Sequence, residues 1–106
     1  MKSKNSSDKD VTKVERMAQE LLDRGDPSTA VAYFWEVAQL YSEQEEWALA
    51  AANYEKAAYC YEIDGMFDKA AKDYYSAVKA YRRAGLPEKA KAVEDWAANL
   101  IKQPQG

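Results

Sequence analysis

The sequence contains no histidine and a single cysteine, and both counts limit the chemistry available to the chain. Without histidine, the side chain that most often acts as a general base near neutral pH and as a metal ligand is missing. One cysteine, Cys60, excludes an intramolecular disulfide and a metal site built from paired cysteines. A glycine-rich phosphate loop and a nucleophile-elbow motif are also missing. We therefore predict no enzymatic activity, no cofactor and no metal site.

Glycine and proline are scarce, with four and three copies in 106 residues, and this scarcity favours helices. With 47% hydrophobic and 31% charged residues, the composition is typical of one all-helical domain. No apolar run approaches the roughly 18 residues of a membrane-spanning helix, and the polar N-terminus lacks the apolar core of a signal peptide. A net charge of −3 disfavours binding to a nucleic-acid backbone. We expect a cytoplasmic protein that neither inserts into a membrane nor binds nucleic acid.

What the chain does contain is a pattern of seven positions that recurs every twenty residues. Within each copy the spacing is 0, 3, 4, 7, 10, 11 and 14, which is one face of an α-helix. The two clearest copies alternate aromatic residues with pairs of small residues: Trp47, Ala50, Ala51, Tyr54, Ala57, Ala58 and Tyr61, then Phe67, Ala70, Ala71, Tyr74, Ala77, Val78 and Tyr81. The same spacing fits the stretches before and after them, so five stacked helices are predicted.

The turns between these helices are predicted from glycine and from the repeat itself. We expect helices over residues 8–24, 27–42, 46–63, 67–84 and 87–102, which form one domain over 8–102. Three turns carry the glycine that a helix C-terminus with positive φ favours: Gly25, Gly65 and Gly85. The second turn has neither glycine nor proline, and the register places Glu45 in the glycine position. Residues 1–7 are predicted to be a disordered tail, and residues 103–106 a C-terminal tail.

A second, forty-residue period lies on one flank of the repeated face. There the residue types alternate between aromatic and acidic, at Trp35, Glu55, Tyr75 and Asp95. Turns of three or four residues make consecutive helices antiparallel neighbours. The structural unit is therefore predicted to be a helical hairpin, with the second and fourth helices of one type and the third and fifth of the other.

The string Ala-Ala-x-x-Tyr-x-x-Ala-Ala-x-x-Tyr runs from Ala50 to Tyr61 and returns from Ala70 to Tyr81 with one change, Val78. It resembles tetratricopeptide-like helical repeats, most closely the longer repeats of soluble NSF-attachment (SNAP-like) proteins, over residues 8–102. The resemblance implies a right-handed α-solenoid that acts as a non-enzymatic adaptor or scaffold. The chain departs from the tetratricopeptide pattern at Tyr75, where a closing proline is usual, and in its forty-residue period, against about thirty-four. A three-helix microtubule-interacting-and-trafficking domain has a similar Ala/Tyr texture, but five helices argue against it.

Charge is divided unevenly along the chain. Residues 26–65 carry eight acidic and one basic side chain, a net charge of −7, whereas residues 66–85 carry five basic and two acidic side chains, a net charge of +3. The basic cluster on the fourth helix, Lys79, Arg82 and Arg83, has two interpretations. It either complements the dipole at a helix C-terminus or makes the molecule polar enough to attract a charged partner or a second copy.

Five residues are candidates for binding a partner: Trp35, Asn53, Glu55, Tyr75 and Trp96. Trp35 and Tyr75 either pack against the intervening helices or anchor a peptide or helix on one surface. Asn53 is placed to contact an extended ligand, and Glu55 to set a charge preference.

An alternative is self-assembly through the open side of the last helix. There Trp96 either covers the end of the stack or, together with Leu100, docks on a second copy. Cys60 is expected to be a buried structural thiol.

Overall fold

The computed structural model describes residues 3–102, and the side chains from residue 11 onward. All secondary structure in this range is helical and comprises five helices, which confirms the predicted all-α class and the number of helices. They are α1 (Ser3–Asp23), α2 (Pro27–Glu43), α3 (Trp47–Ile63), α4 (Phe67–Arg83) and α5 (Pro87–Lys102). The last four begin twenty residues apart, as the repeat predicts.

α1 begins earlier than its sequence pattern indicates. Residues 3–7, predicted to belong to a disordered tail, are helical, while residues 1–2 and the predicted C-terminal tail 103–106 lie outside the described range. The physical reason is that extending a formed helix adds one hydrogen bond per residue fixed, and this polar stretch contains no glycine or proline to stop it. The apolar pattern begins only at Val11, so it could not indicate those turns.

Four turns of the same design connect the helices. In the first, the Gly25 amide donates to the Leu22 carbonyl and the Asp26 amide to the Leu21 carbonyl, both at 2.9 Å. This pair of bonds is the Schellman motif, which satisfies carbonyls at a helix end. Asp26 also caps α2, because its carboxylate accepts a bond from the Thr29 amide at 3.3 Å. One residue thus ends one helix and begins the next, and this keeps the turn short.

The second turn has the same geometry without glycine. Glu45 has φ +61°, in the left-handed region that Gly25, Gly65 and Gly85 adopt at φ between +75° and +84°. Its amide donates to the Ser42 carbonyl at 2.9 Å. The prediction that Glu45 fills the glycine position is confirmed. A side chain there carries steric strain that glycine avoids.

The core consists of the small and aromatic positions of the repeat. Helices that are consecutive in sequence pack on one another, from α1 on α2 through to α4 on α5. The small residues at their contacts are fully buried: Ala50, Ala51, Ala57, Ala58, Ala70, Ala77, Ala90 and Ala97. Small side chains allow the helix axes to approach closely, and the rings of Tyr54, Tyr74 and Tyr81 fill the space beside them. The axes of the molecule measure 53 × 33 × 16 Å, an elongated and flat shape.

Cys60 lies in a second apolar cluster, between α1, α2 and α3, with Ala18, Phe34 and Ala57. Its side chain is fully buried, which confirms the prediction of a buried thiol. Burial, with a smaller effect of the Asp64 charge, raises the pKa of this thiol to about 11. Since thiolates are the reactive form of cysteine, Cys60 is a packing residue.

Candidate protein-interaction surface

Two hydrogen bonds repeat at a spacing of forty residues. The Tyr41 hydroxyl on α2 donates to Glu15 Oε1 on α1 at 3.1 Å. The Tyr81 hydroxyl on α4 donates to Glu55 Oε1 on α3 at 2.6 Å. Each pair is 26 residues apart, and the second is the first displaced by forty residues. The pair α1 and α2 is therefore equivalent to the pair α3 and α4. By the same forty-residue shift, α3 corresponds to α1, and α5 corresponds to α3.

The contact between α1 and α3 is closed by polar side chains; we call it the α1–α3 seam and define it by Glu15, Gln19, Asn53 and Lys56. Asn53 Nδ2 donates to Glu15 Oε2 at 3.1 Å and to the Leu49 carbonyl at 2.9 Å. The ammonium of Lys56 donates to Gln19 Oε1 at 3.1 Å and lies 5.7 Å from the centre of the Phe34 ring. Both oxygens of Glu15 thus have a donor, and a cation from the same chain covers the aromatic ring.

Forty residues later, the equivalent region between α3 and α5 is not closed. It contains an open pocket of about 240 Å³ between α3, α4 and α5. We call it the α3–α5 groove; it is lined by Glu55, Tyr74, Ala92, Val93 and Trp96. The indole N–H of Trp96 donates to Glu62 Oε1 at 3.1 Å, although half of the Trp96 surface is exposed to solvent. The Tyr74 hydroxyl donates to the same oxygen at 2.8 Å. Glu62 therefore holds both aromatic walls in place.

The hydroxyls of Tyr74 and Tyr81 are permanent donors to the carboxylates of Glu62 and Glu55, respectively. Burial raises the pKa of each well above that of a free tyrosine, and the hydrogen bonds to Glu62 and Glu55 raise it further. Neither carboxylate forms an ion pair among residues 11–102, whose two ion pairs are Arg82–Glu94 and Lys91–Asp95. The groove therefore combines an aromatic wall with negative charge that no cation of the described side chains neutralises.

The five predicted binding residues do not lie together on one surface of the molecule. Glu55 and Trp96 come together in the α3–α5 groove. Trp35, on α2, is 46% exposed, whereas Tyr75, on α4, is partly buried against the core. Asn53 was expected to contact an extended ligand, but it is only 1% exposed and bonds to Glu15, so its side chain is not accessible on the surface of this structure. The reason is that α1 covers this flank of α3, which the spacing along α3 could not reveal.

The predicted basic cluster on α4 is partly engaged within the chain. Arg82 forms an ion pair with Glu94 on α5 at 3.1 Å, and the guanidinium of Arg83 lies 4.8 Å from the centre of the Trp47 ring. Both partners are on neighbouring helices, so these cations connect α3, α4 and α5. Lys79 is exposed and has no such contact among the described side chains.

The predicted self-assembly surface also needs one correction. Leu100 is buried in the core of its own chain, at 6% exposure, because its side of α5 faces the stack. The neighbouring Ile101 is 49% exposed instead. It borders a second pocket, of about 420 Å³, with Met66 and Phe67 at the α3–α4 turn.

Sequence reasoning missed Glu62 and Val93. Glu62 lies in the last turn of α3, outside the repeated face, yet it accepts hydrogen bonds from both Tyr74 and Trp96. Val93 occupies on α5 the position that Asn53 occupies on α3, forty residues earlier. A comparison of these two positions could have shown that Glu15 and Glu55 have different hydrogen-bond partners, because an amide can donate to a carboxylate and an isopropyl group cannot.

Comparisons of the chain with protein families, with curated proteins and with solved structures gave no match. The resemblance to tetratricopeptide-like and SNAP-like repeats thus continues to depend on the residues of the chain alone. Within the described range, every helix is too short or too polar to cross a bilayer.

Proposed function

We propose that this protein is a non-enzymatic interaction module, an adaptor or scaffold, built as a right-handed α-solenoid of the tetratricopeptide and SNAP-like type with antiparallel helices. Three features support the proposal: the twenty-residue spacing of the helices, the packing of consecutive helices, and short turns of one design. Such stacks commonly present extended binding surfaces. A cytoplasmic location is part of the proposal, and a buried, reduced Cys60 is compatible with it.

The observation that carries the function is Trp96 beside the α3–α5 groove. A half-exposed tryptophan that a hydrogen bond holds in one orientation next to a pocket is a typical anchor for a partner, because little side-chain entropy remains to be lost. We therefore place the binding of a peptide or helix at this groove. Trp35, on α2, and Tyr75, on α4, do not line the groove with Trp96, and they are secondary candidates.

The test is a titration of isotope-labelled protein with an amphipathic peptide of about 15 residues, made of leucine and lysine, followed by NMR. We expect the indole N–H signal of Trp96 to shift and to saturate. Trp96→Ala should weaken binding by about 30-fold, the cost of losing an interface anchor. Trp35→Ala is the matched control and should change affinity by less than about threefold. An unchanged affinity in Trp96→Ala together with a loss in Trp35→Ala would move the site to α2.

Self-association is a second candidate, and the exposed Ile101 and Met66 favour it. The two side chains line one pocket together with Phe67, so an apolar surface is available there. Sedimentation equilibrium over a range of concentrations distinguishes the two functions. A mass that stays at 12.0 kDa is expected for an adaptor. A concentration-dependent mass that Ile101→Asp or Trp96→Asp abolishes would favour self-assembly.

A further inference from the structure

Glu15 and Glu55 are equivalent carboxylates with different surroundings. In each, Oε1 accepts a hydrogen bond from a tyrosine 26 residues later. Glu15 Oε2 also accepts from Asn53 at 3.1 Å. The residue equivalent to Asn53 is Val93, which has no donor, and none of the side chains described over 11–102 donates to Glu55 Oε2. One carboxylate is therefore satisfied within the chain, and the other presents an oxygen beside the α3–α5 groove.

The aromatic residues of the two regions differ in the same way. In the α1–α3 seam, the chain supplies its own cation, Lys56, above the Phe34 ring. In the groove, Trp96 occupies the position equivalent to Lys56, and Tyr74 the position equivalent to Phe34. An aromatic ring therefore replaces the lysine. The nearby lysines of α5 are engaged elsewhere: Lys91 pairs with Asp95, and Lys89 lies 5.8 Å from the centre of the Tyr81 ring. No cation of the described side chains occupies the groove.

We propose that the α3–α5 groove is a binding site for an arginine side chain of a partner polypeptide, with its guanidinium on the Trp96 ring and hydrogen-bonded to Glu55 Oε2. This inference rests on the proposed function and specifies the partner's chemistry. A guanidinium is planar, stacks on indole and donates in several directions at once, whereas the lysine ammonium is a strongly hydrated point charge. A pocket of about 240 Å³ suits one long side chain rather than a folded segment.

The negative charge around the groove supports a cationic occupant. Glu55 and Glu62 both approach the aromatic wall, and residues 26–65, which contain them, carry a net charge of −7. An arginine that enters gains a charge-assisted hydrogen bond and a contact with the ring without displacing an internal ion pair. A glutamate in the same place would meet like charge, and a neutral side chain would leave Glu55 without a counter-charge.

The probe is a blocked tripeptide, Ala-Arg-Ala, compared with the same tripeptide carrying citrulline, the neutral isostere of arginine. Binding is followed through the indole N–H signal of Trp96 and the backbone amide signals of α3 and α5. We expect saturable shifts with arginine, and binding of citrulline weaker by about tenfold or more, because the charge-assisted bond is lost. The shifts with arginine should shrink as salt is raised.

Three variants locate the interaction. Glu55→Gln keeps an acceptor for Tyr81 but removes the charge, and should weaken arginine binding by about tenfold. Val93→Asn restores the donor that Asn53 supplies in the α1–α3 seam, and should weaken binding without removing any charge. Glu15→Gln is the matched control and should bind as the unchanged protein does. Circular dichroism verifies that each variant is folded.

The inference is overturned if the arginine tripeptide causes no shift, if citrulline binds equally well, or if Glu55→Gln and Glu15→Gln behave alike. The peptide titration described above tests the proposed function separately from the arginine site. If that peptide binds in a Trp96-dependent manner while arginine and citrulline do not differ, the arginine site fails and the interaction module stands. If neither probe binds, both fail.

Discussion

The α1–α3 seam and the α3–α5 groove use the same positions of the repeat but differ in what fills them. In the seam, Asn53 donates to the second oxygen of Glu15, and Lys56 donates to Gln19 and covers the Phe34 ring. In the groove, Val93 and Trp96 replace them and leave a pocket beside Glu55. A carboxylate whose two oxygens both accept hydrogen bonds within the chain adds stability and specificity, whereas one with an oxygen left open retains its capacity to bind. One unit therefore stabilises the stack, and the next one provides the candidate surface.

The largest expected effect on stability comes from substitutions of the equivalent aromatic residues in the two regions, Phe34 and Tyr74. Phe34 is fully buried beneath Lys56, so Phe34→Ala should lower the free energy of unfolding by about 3–5 kcal/mol through the cavity that it leaves. Tyr74→Phe keeps the ring and removes only the bond to Glu62, and should cost about 1 kcal/mol. Urea unfolding measures both. Equal losses would mean that the hydroxyl of Tyr74, and with it the orientation of Glu62, stabilises the groove as strongly as packing stabilises the seam.

A smaller effect concerns the position that Asn53 and Val93 share, which on α4 is occupied by Asp73. This residue is 8% exposed, and its Oδ2 has no hydrogen-bond partner. Burial raises the pKa of its carboxyl group to about 6, against an opposing effect of Lys72. The folded state therefore binds the proton more tightly than the unfolded chain does, so the contribution of Asp73 to stability falls as the pH rises from about 4 to 6.

Asp73→Asn should remove this dependence and raise the free energy of unfolding at pH 7 by about 1–2 kcal/mol. Urea unfolding of both proteins between about pH 4 and pH 8 provides the measurement. A difference between the two proteins that does not change with pH would show that Asp73 is solvated.

The smallest effect tests the feature that the two regions have in common, their turns. Glu45 has φ +61° where the other turns have glycine, so Glu45→Gly should stabilise the protein by about 0.5–1 kcal/mol. Gly65→Ala is the matched change in the opposite direction, because an added methyl group meets no atom within 4 Å and only the backbone is strained. Thermal unfolding should show melting shifts of opposite sign. Shifts of the same sign would mean that the turns are not equivalent.

Much of the architecture could be predicted from local pattern. The spacing of Trp47, Tyr54 and Tyr61 indicates a helix face, and the glycine positions indicate where helices end, because both are decided within one or two turns of chain. The candidate site was predicted only in part. Glu55 and Trp96 were selected and do meet, but Asn53 and Leu100 were taken as accessible and are buried. Which flank of a helix is covered depends on helices twenty and forty residues away.

The sequence by itself determined the number of helices, their twenty-residue spacing, their turns and the unusual Glu45, since each follows from periodicity and from the backbone preferences of single residues. Only the tertiary structure decided which carboxylate is satisfied. Glu15 and Asn53 are 38 residues apart, and Glu62 and Trp96 are 34 apart, so their bonds exist only once the helices have stacked. A hydrogen bond requires donor and acceptor to lie within about 3 Å, and the pattern along a single helix does not contain that distance.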